Sequence, residues 1–198
     1  MPMKLSLTVF FLSACSAYGL DLRYWIEPCT RAETGCQKSD VQLAEWALAA
    51  WQAAANGTLH LEKTDRMMQA NIRLHWADSE QGQYGETRAF VSEGTRGAEV
   101  FVRPDLRAMG PDIFAAASQD TLLRETIVYL TCLHETGHAL GLSHTADFAD
   151  IMYFFGYDKG DVREYFARYR RKLHDRADIV KNSGISPQDR TRFIQALK

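Results

Sequence analysis

This chain of 198 residues lacks several things that would have settled its class at once. It has no hydrophobic run long enough to cross a bilayer: the apolar stretch from Leu5 to Leu12 is far shorter than the ~20 residues a spanning helix needs. It has no block of basic residues, and its formal net charge is only −2, so a nucleic-acid partner is not expected. The basic segments RYRRK and KLHDR near the C-terminus sit inside a helix-like run and read as a solvated helix face. Internal repeats and low-complexity tracts are also missing, which excludes a solenoid or a disordered tail. What remains is an ordinary globular composition, 46% hydrophobic and 24% charged, at a length suited to one domain with a sizeable core.

The N-terminus stands apart. Its lysine, short apolar run and following small residues have the layout of an export signal, so residues 1–19 are set aside and 20–198 are read as one domain. Two processing outcomes stay open. Leu12-Ser13-Ala14-Cys15 resembles a bacterial lipobox, which would leave Cys15 as a lipidated N-terminus in the cell envelope. Cleavage after Ala17 or Gly19 would instead release a secreted monomer, and the shortness of the segment favours this outcome. Of the other three cysteines, Cys29 and Cys36 bracket a polar loop that a disulfide would close in an oxidising compartment, while Cys132 sits in an apolar helix as a buried thiol.

Periodicity places the elements. LDLRYWIE alternates as a strand. Ser39 and Gln42 form a possible capping box for a helix over VQLAEWALAAWQAAA, with Leu43, Ala47, Leu48, Trp51 and Ala55 on one face and a stop at Asn56-Gly57. LHLEK, ANIRLHWA, TRAFVS and AEVFVRP follow as strands, the last two separated by a turn region at Gly94 and Gly97. Residues Arg103 to Ser118 read as a loop, and a second helix runs from about Asp120 to Leu140. DVREYFARYRRKLHDRADIVK and SPQDRTRFIQALK read as two more helical runs, the latter opened by Ser186, Pro187 and Asp189 as cap, first position and box partner. This order suggests an α/β or α+β fold, a twisted mixed sheet against two long helices.

The chemistry lies in CLHETGHALGLSHTADFADIMYF. His134 and His138 are four apart on the second helix, so their rings project from one face, one turn apart. That spacing suits two imidazoles gripping one zinc ion. Glu135 would lie beside the metal, where it can hold and deprotonate a zinc-bound water. Gly141 can end the helix with a positive φ and turn the chain back, so that His144 becomes a third ligand. A continuing helix would carry residue 144 about 9 Å along the axis from His138. Three histidines leave a fourth coordination position open, as in a catalytic site.

This segment resembles the zinc site of the metzincin metallopeptidases, and in detail their matrixin branch. His144, Thr145, Asp147 and the Met152-Tyr153 pair match the matrixin third histidine and Met-turn. The resemblance implies a metzincin-like twisted mixed β-sheet with an active-site helix, a Met-turn and a C-terminal helix. It also implies that Met152 underlies the three histidines without binding metal, and that GETRAFVSEG supplies an edge strand near Thr87 to Val91 that pairs with extended substrate. Tyr153, Phe154 and Tyr157 are candidates for the S1′ pocket wall, with ordinary core packing as the competing reading. The chain departs from matrixins in lacking the His/Asp set for a second zinc, a convincing calcium loop, and room for a prodomain after the signal. The segment between Met152 and Ser186 is also longer than usual.

The expectation is therefore a secreted zinc metalloendopeptidase acting on proteins or peptides, with Glu135 as general base and one catalytic zinc. The alternative is an exported zinc-containing binding protein or inactive homologue. A thermolysin-like site using Glu164 as third ligand is the weaker enzymatic rival, because His144 already occupies that role.

Overall fold

The computed structural model describes residues 19–78, 84–92, 95–156 and 161–198. Residues 1–18, which include most of the expected export signal with Cys15, and the candidate pocket residue Tyr157 lie outside these residues. Among the described residues the strands are β1 (Leu20–Ile26), β2 (Leu59–Lys63), β3 (Ile72–Trp76), β4 (Gly85–Ser92) and β5 (Thr95–Val102). They form one sheet in the order β2-β1-β3-β5-β4. All neighbours run parallel except β4, which returns antiparallel along β5 and forms one edge. The helices are α1 (Asp40–Ala54), α2 (Pro111–Gln119), α3 (Thr121–Ala139), α4 (Val162–Arg170), α5 (Asp178–Lys181) and α6 (Pro187–Ala196).

Alternation sets which face of the sheet is covered. Ile72, Leu74 and Trp76 of β3 and Val100 and Val102 of β5 are buried in the core cluster with residues of α1 and α3. The apolar face of α1 is buried at every position the periodicity indicates, and the helix closes through Asn56 and Gly57, both at positive φ. Trp51 joins the two long helices: it is fully buried, its Nε1 donates to the Leu133 carbonyl at 2.9 Å, and its ring meets Phe193 of α6 edge-on at 4.9 Å. Cys29 and Cys36 form a disulfide, and Cys132 is a buried free thiol.

Several local readings give way to tertiary contacts. The Ser39–Gln42 capping box does not form: Ser39 takes helical dihedrals (φ −69°, ψ −20°) and caps nothing. Gln42 and the Ser39 carbonyl both accept from Arg176 instead, and the fully buried Asp40 takes a bidentate ion pair from Arg124. Gly97 lies inside β5 rather than in a turn, and the position takes glycine because a Cβ there would collide with the Phe90 ring and the Asn71 carbonyl. The expected loop 103–118 contains a 3-10 turn at Leu106–Met109 and helix α2, opened by Pro111 after Gly110 at φ 96°. The long charged run after Asp161 breaks into α4 and α5, because the Asp178 carboxylate accepts the backbone N–H groups of His174 and Asp175. Its arginines are not merely solvated: Arg170 pairs with Asp120 and Arg176 with Glu125, tying this segment to the first turns of α3. The Ser186–Asp189 capping box of α6 forms as expected.

Trp51→Ala should lower stability by about 3–5 kcal/mol, since it opens a large cavity and removes the indole hydrogen bond to the Leu133 carbonyl. Urea unfolding measures this, and a near-neutral result would contradict the central place of Trp51.

Candidate metal centre

Helix α3 carries the site because both its ends are well specified. Asp120 caps the start, its Oδ1 accepting the Leu123 N–H at 3.0 Å. At the other end Gly141 takes φ 94°, and two reverse hydrogen bonds close the turn: Leu142 N–H to the Gly137 carbonyl at 3.0 Å and Gly141 N–H to the His138 carbonyl at 2.9 Å. This is a Schellman motif, and it does a second job. It brings the Leu142 carbonyl to 2.8 Å from His138 Nδ1.

His134 is oriented in the same way by a different segment, its Nδ1 lying 2.7 Å from the Ile151 carbonyl. A carbonyl oxygen only accepts, so Nδ1 carries the proton in both rings and each Nε2 presents a bare lone pair. These lone pairs face one another. The Nε2 atoms of His134, His138 and His144 lie 3.1, 3.1 and 3.3 Å apart. Bare lone pairs on His134 and His138 at this distance repel unless a cation sits between them. Three nitrogens bound tetrahedrally to one zinc at 2.0–2.1 Å would stand about 3.3–3.4 Å apart, so the triangle has the right size for that ion. These three residues could hold a metal between them.

Burial reinforces the neutral state. It presses the His134 pKa down to about 3, helped by the neighbouring His138 and His144 and opposed by the Ile151 carbonyl. His144 is lowered by burial and by His138. Glu135, only 6% exposed, is pushed the other way, up to about 7, by burial with a smaller contribution from Glu86, while the Thr87 hydroxyl opposes the shift.

The floor of the site is the loop 145–154. Thr145 N–H donates to the Met152 carbonyl at 2.8 Å and Phe154 N–H to the Thr145 carbonyl at 3.0 Å, closing the loop behind His144. Met152 is fully buried, and its Sδ lies against Gly137: a Cβ on that glycine would come within 2.6 Å of the sulfur and 3.0 Å of the Trp51 ring. Gly137 is thus required for close approach, a role the sequence reading missed. A glycine inside a helix, where it costs about 0.5–1 kcal/mol relative to alanine, was the available signal.

The other missed residues lie in a buried polar cluster beneath the loop. Asp189 Oδ2 accepts the Ile151 N–H at 2.7 Å. Asp150 accepts from Ser186 Oγ at 2.5 Å, Thr145 Oγ1 at 2.9 Å and Arg192 Nη2 at 2.6 Å. Arg192 also reaches Asp189, and the Tyr165 hydroxyl donates to the Asp150 carbonyl at 2.9 Å. Both carboxylates are fully buried.

The site opens into a cleft of about 1370 Å³ lined by the three histidines, Glu135, Thr87, Tyr153 and Phe154. Phe154 is 42% exposed and stacks on the His144 ring at 4.6 Å. Tyr153 is buried against Phe148, Phe155 and Tyr165, so it both packs the core and lines the cleft. Val162, Tyr165 and Phe166, from the long segment after the Met-turn, also line it. Glu164, the rival third ligand, does not join the histidines; it is exposed and pairs with Arg171. Cys29 is held by Cys36.

A family model described as matrixin, of the M10 peptidases, matches residues 19–165, well over half of the chain. No curated protein matches the chain.

Chelator-stripped protein should take up one equivalent of zinc, monitored by calorimetry. His144→Ala should weaken binding by more than the 10–100-fold typical of an outer partner, Asp189→Ala by about that range, and Glu164→Ala not at all. Protons compete with metal for the same lone pairs. Because the His134 and His144 pKa values lie below the ~6.5 of free imidazole, zinc should be retained at about pH 6 and released on further acidification. Release above neutrality would contradict a histidine-held ion.

Proposed function

Because the chain belongs to the matrixin family of zinc metallopeptidases, we propose that it is an exported endopeptidase in which His134, His138 and His144 hold one zinc and Glu135 is the general base. The observation that carries this reading is the triangle of three converging Nε2 atoms beside a buried carboxylate. When bound, zinc would supply Lewis acidity, drawing electron density from the scissile carbonyl and from the attacking water.

The chain's own residues do the rest. Glu135 takes the proton from the attacking water and returns it to the departing amine nitrogen, and the raised proton affinity that burial gives it suits a group that must both accept and release a proton near neutrality. Strand β4 is a sheet edge beside Glu135, so an extended peptide can add to it by backbone hydrogen bonding. Phe154 and Tyr153, with Tyr157 from outside the described residues, would shape the pocket for the residue after the scissile bond, and Val162, Tyr165 and Phe166 add apolar wall. Met152 supports the site from below. Residues 20–198 act as the catalytic unit, and residues 1–19 direct export.

Purified protein should digest casein or a peptide library. Glu135→Gln should lose about 10²–10⁴-fold in rate while keeping its zinc. Equal digestion by both would sink the general-base assignment, and bound zinc with no turnover by either would favour a zinc-holding binding protein. Mass spectrometry of the native N-terminus should find a chain beginning at Tyr18 or Leu20; a lipidated Cys15 would place the protein on a membrane surface instead.

A further inference from the structure

We propose that Thr87 is a positioning residue for Glu135, fixing the carboxylate against the same edge strand that receives substrate. The proposal rests on Glu135 being the general base. Thr87 Oγ1 lies 2.7 Å from Glu135 Oε2 and 2.9 Å from the backbone carbonyl of the same residue. A threonine hydroxyl has one proton to give, and the ionised carboxylate at the shorter distance is the stronger acceptor. Two residues earlier, Gly85 approaches the other side of the carboxylate: a Cβ there would stand 2.5 Å from Oε1, 2.8 Å from Cγ and 2.9 Å from Cδ. Successive odd positions on β4, Gly85 and Thr87, point to one face of the strand, and that face meets Glu135. A glutamate side chain on a helix otherwise turns freely about its last, broad torsion. Here the close approach of Gly85 beside one oxygen and a hydroxyl on the other restrict that torsion.

The consequence is a fixed relation between base and substrate. A peptide added to β4 takes its register from the backbone of Gly85 to Ser92, and Glu135 takes its orientation from side chains of that same stretch. The scissile bond and the carboxylate are thus referenced to one strand. Orientation of this kind acts on the rate of the bound complex rather than on binding.

The test compares Thr87→Val, which keeps shape and removes the hydroxyl, with Thr87→Ser, which keeps the hydroxyl. All variants are zinc-loaded, and Glu135→Gln is measured alongside. Thr87→Val should lose about ten- to a hundredfold in kcat, the range for a hydrogen bond to a charged group, with KM and zinc content unchanged. Thr87→Ser should stay within about threefold of the parent, and Thr87→Val should add no further loss in the Glu135→Gln background. A phosphinic peptide that mimics the tetrahedral state should bind Thr87→Val more weakly in proportion to the lost kcat/KM. If Thr87→Val fails to fold, Thr87→Ala carries the same expectation. Unchanged kcat in Thr87→Val, equal damage in Thr87→Ser, or a loss residing in KM or zinc content would overturn the proposal. A fully active Glu135→Gln would instead overturn the general-base reading beneath it.

Discussion

The site depends on the backbone of one residue, Ile151. Its carbonyl accepts from His134 Nδ1 and so sets the tautomer and direction of that ring, while its N–H is held by Asp189 at the start of α6. The C-terminal helix therefore reaches the metal site through two adjacent residues of the loop beneath it, Ile151 by its backbone and Asp150 by its carboxylate. Asp189 also closes its own capping box, and Arg192 pairs with both Asp189 and Asp150. Buried carboxylates are costly unless paired and fully hydrogen-bonded, and removing one partner from such a set typically costs about 3–5 kcal/mol. This cluster is best understood as a device that allows one position of the loop, with its contribution to net stability secondary.

The second imidazole is held by different means. His138 is fixed by the turn that ends its own helix, so its orientation is a local consequence of Gly141. His144 follows that turn and is closed in by the hydrogen bonds between Thr145 and the Met152–Phe154 stretch. Below them Trp51, Gly137 and Met152 stack, and the absent side chain of Gly137 lets the sulfur seat against the helix. A protein interior packed at crystal density transmits such contacts with little slack. The two long helices and the Met-turn are therefore joined by direct packing.

What could be read from the sequence was whatever obeyed a local rule. The strands, the buried stripe of α1, the cap of α6 and the four-residue spacing of His134 and His138 follow from periodicity and short-range hydrogen bonding. Gly141 marked the turn for the same reason. The rest was decided at long range. The Ser39 carbonyl and the Gln42 side chain are bound by Arg176, far along the chain, and no Ser39–Gln42 capping box forms. Asp150, Arg192 and Thr87 look like ordinary polar residues until folding places Asp150 beside Ser186 and Arg192, and Thr87 beside Glu135. A side chain whose partner lies fifty residues away leaves no periodic trace.

Strand β4 has one further consequence. An edge that welcomes a peptide also welcomes the edge of another copy, and open strands are the usual templates for unwanted sheet extension. Here that hazard is answered in the strand itself. Arg88 and Glu86 pair across two positions on the face opposite Thr87, and Arg88 lies over the Phe101 ring. A neighbouring copy pairing there would have to accommodate this charged pair, whereas a flexible peptide can place small or polar residues beside it. The same two residues can therefore discourage self-association while leaving the edge open to single extended chains.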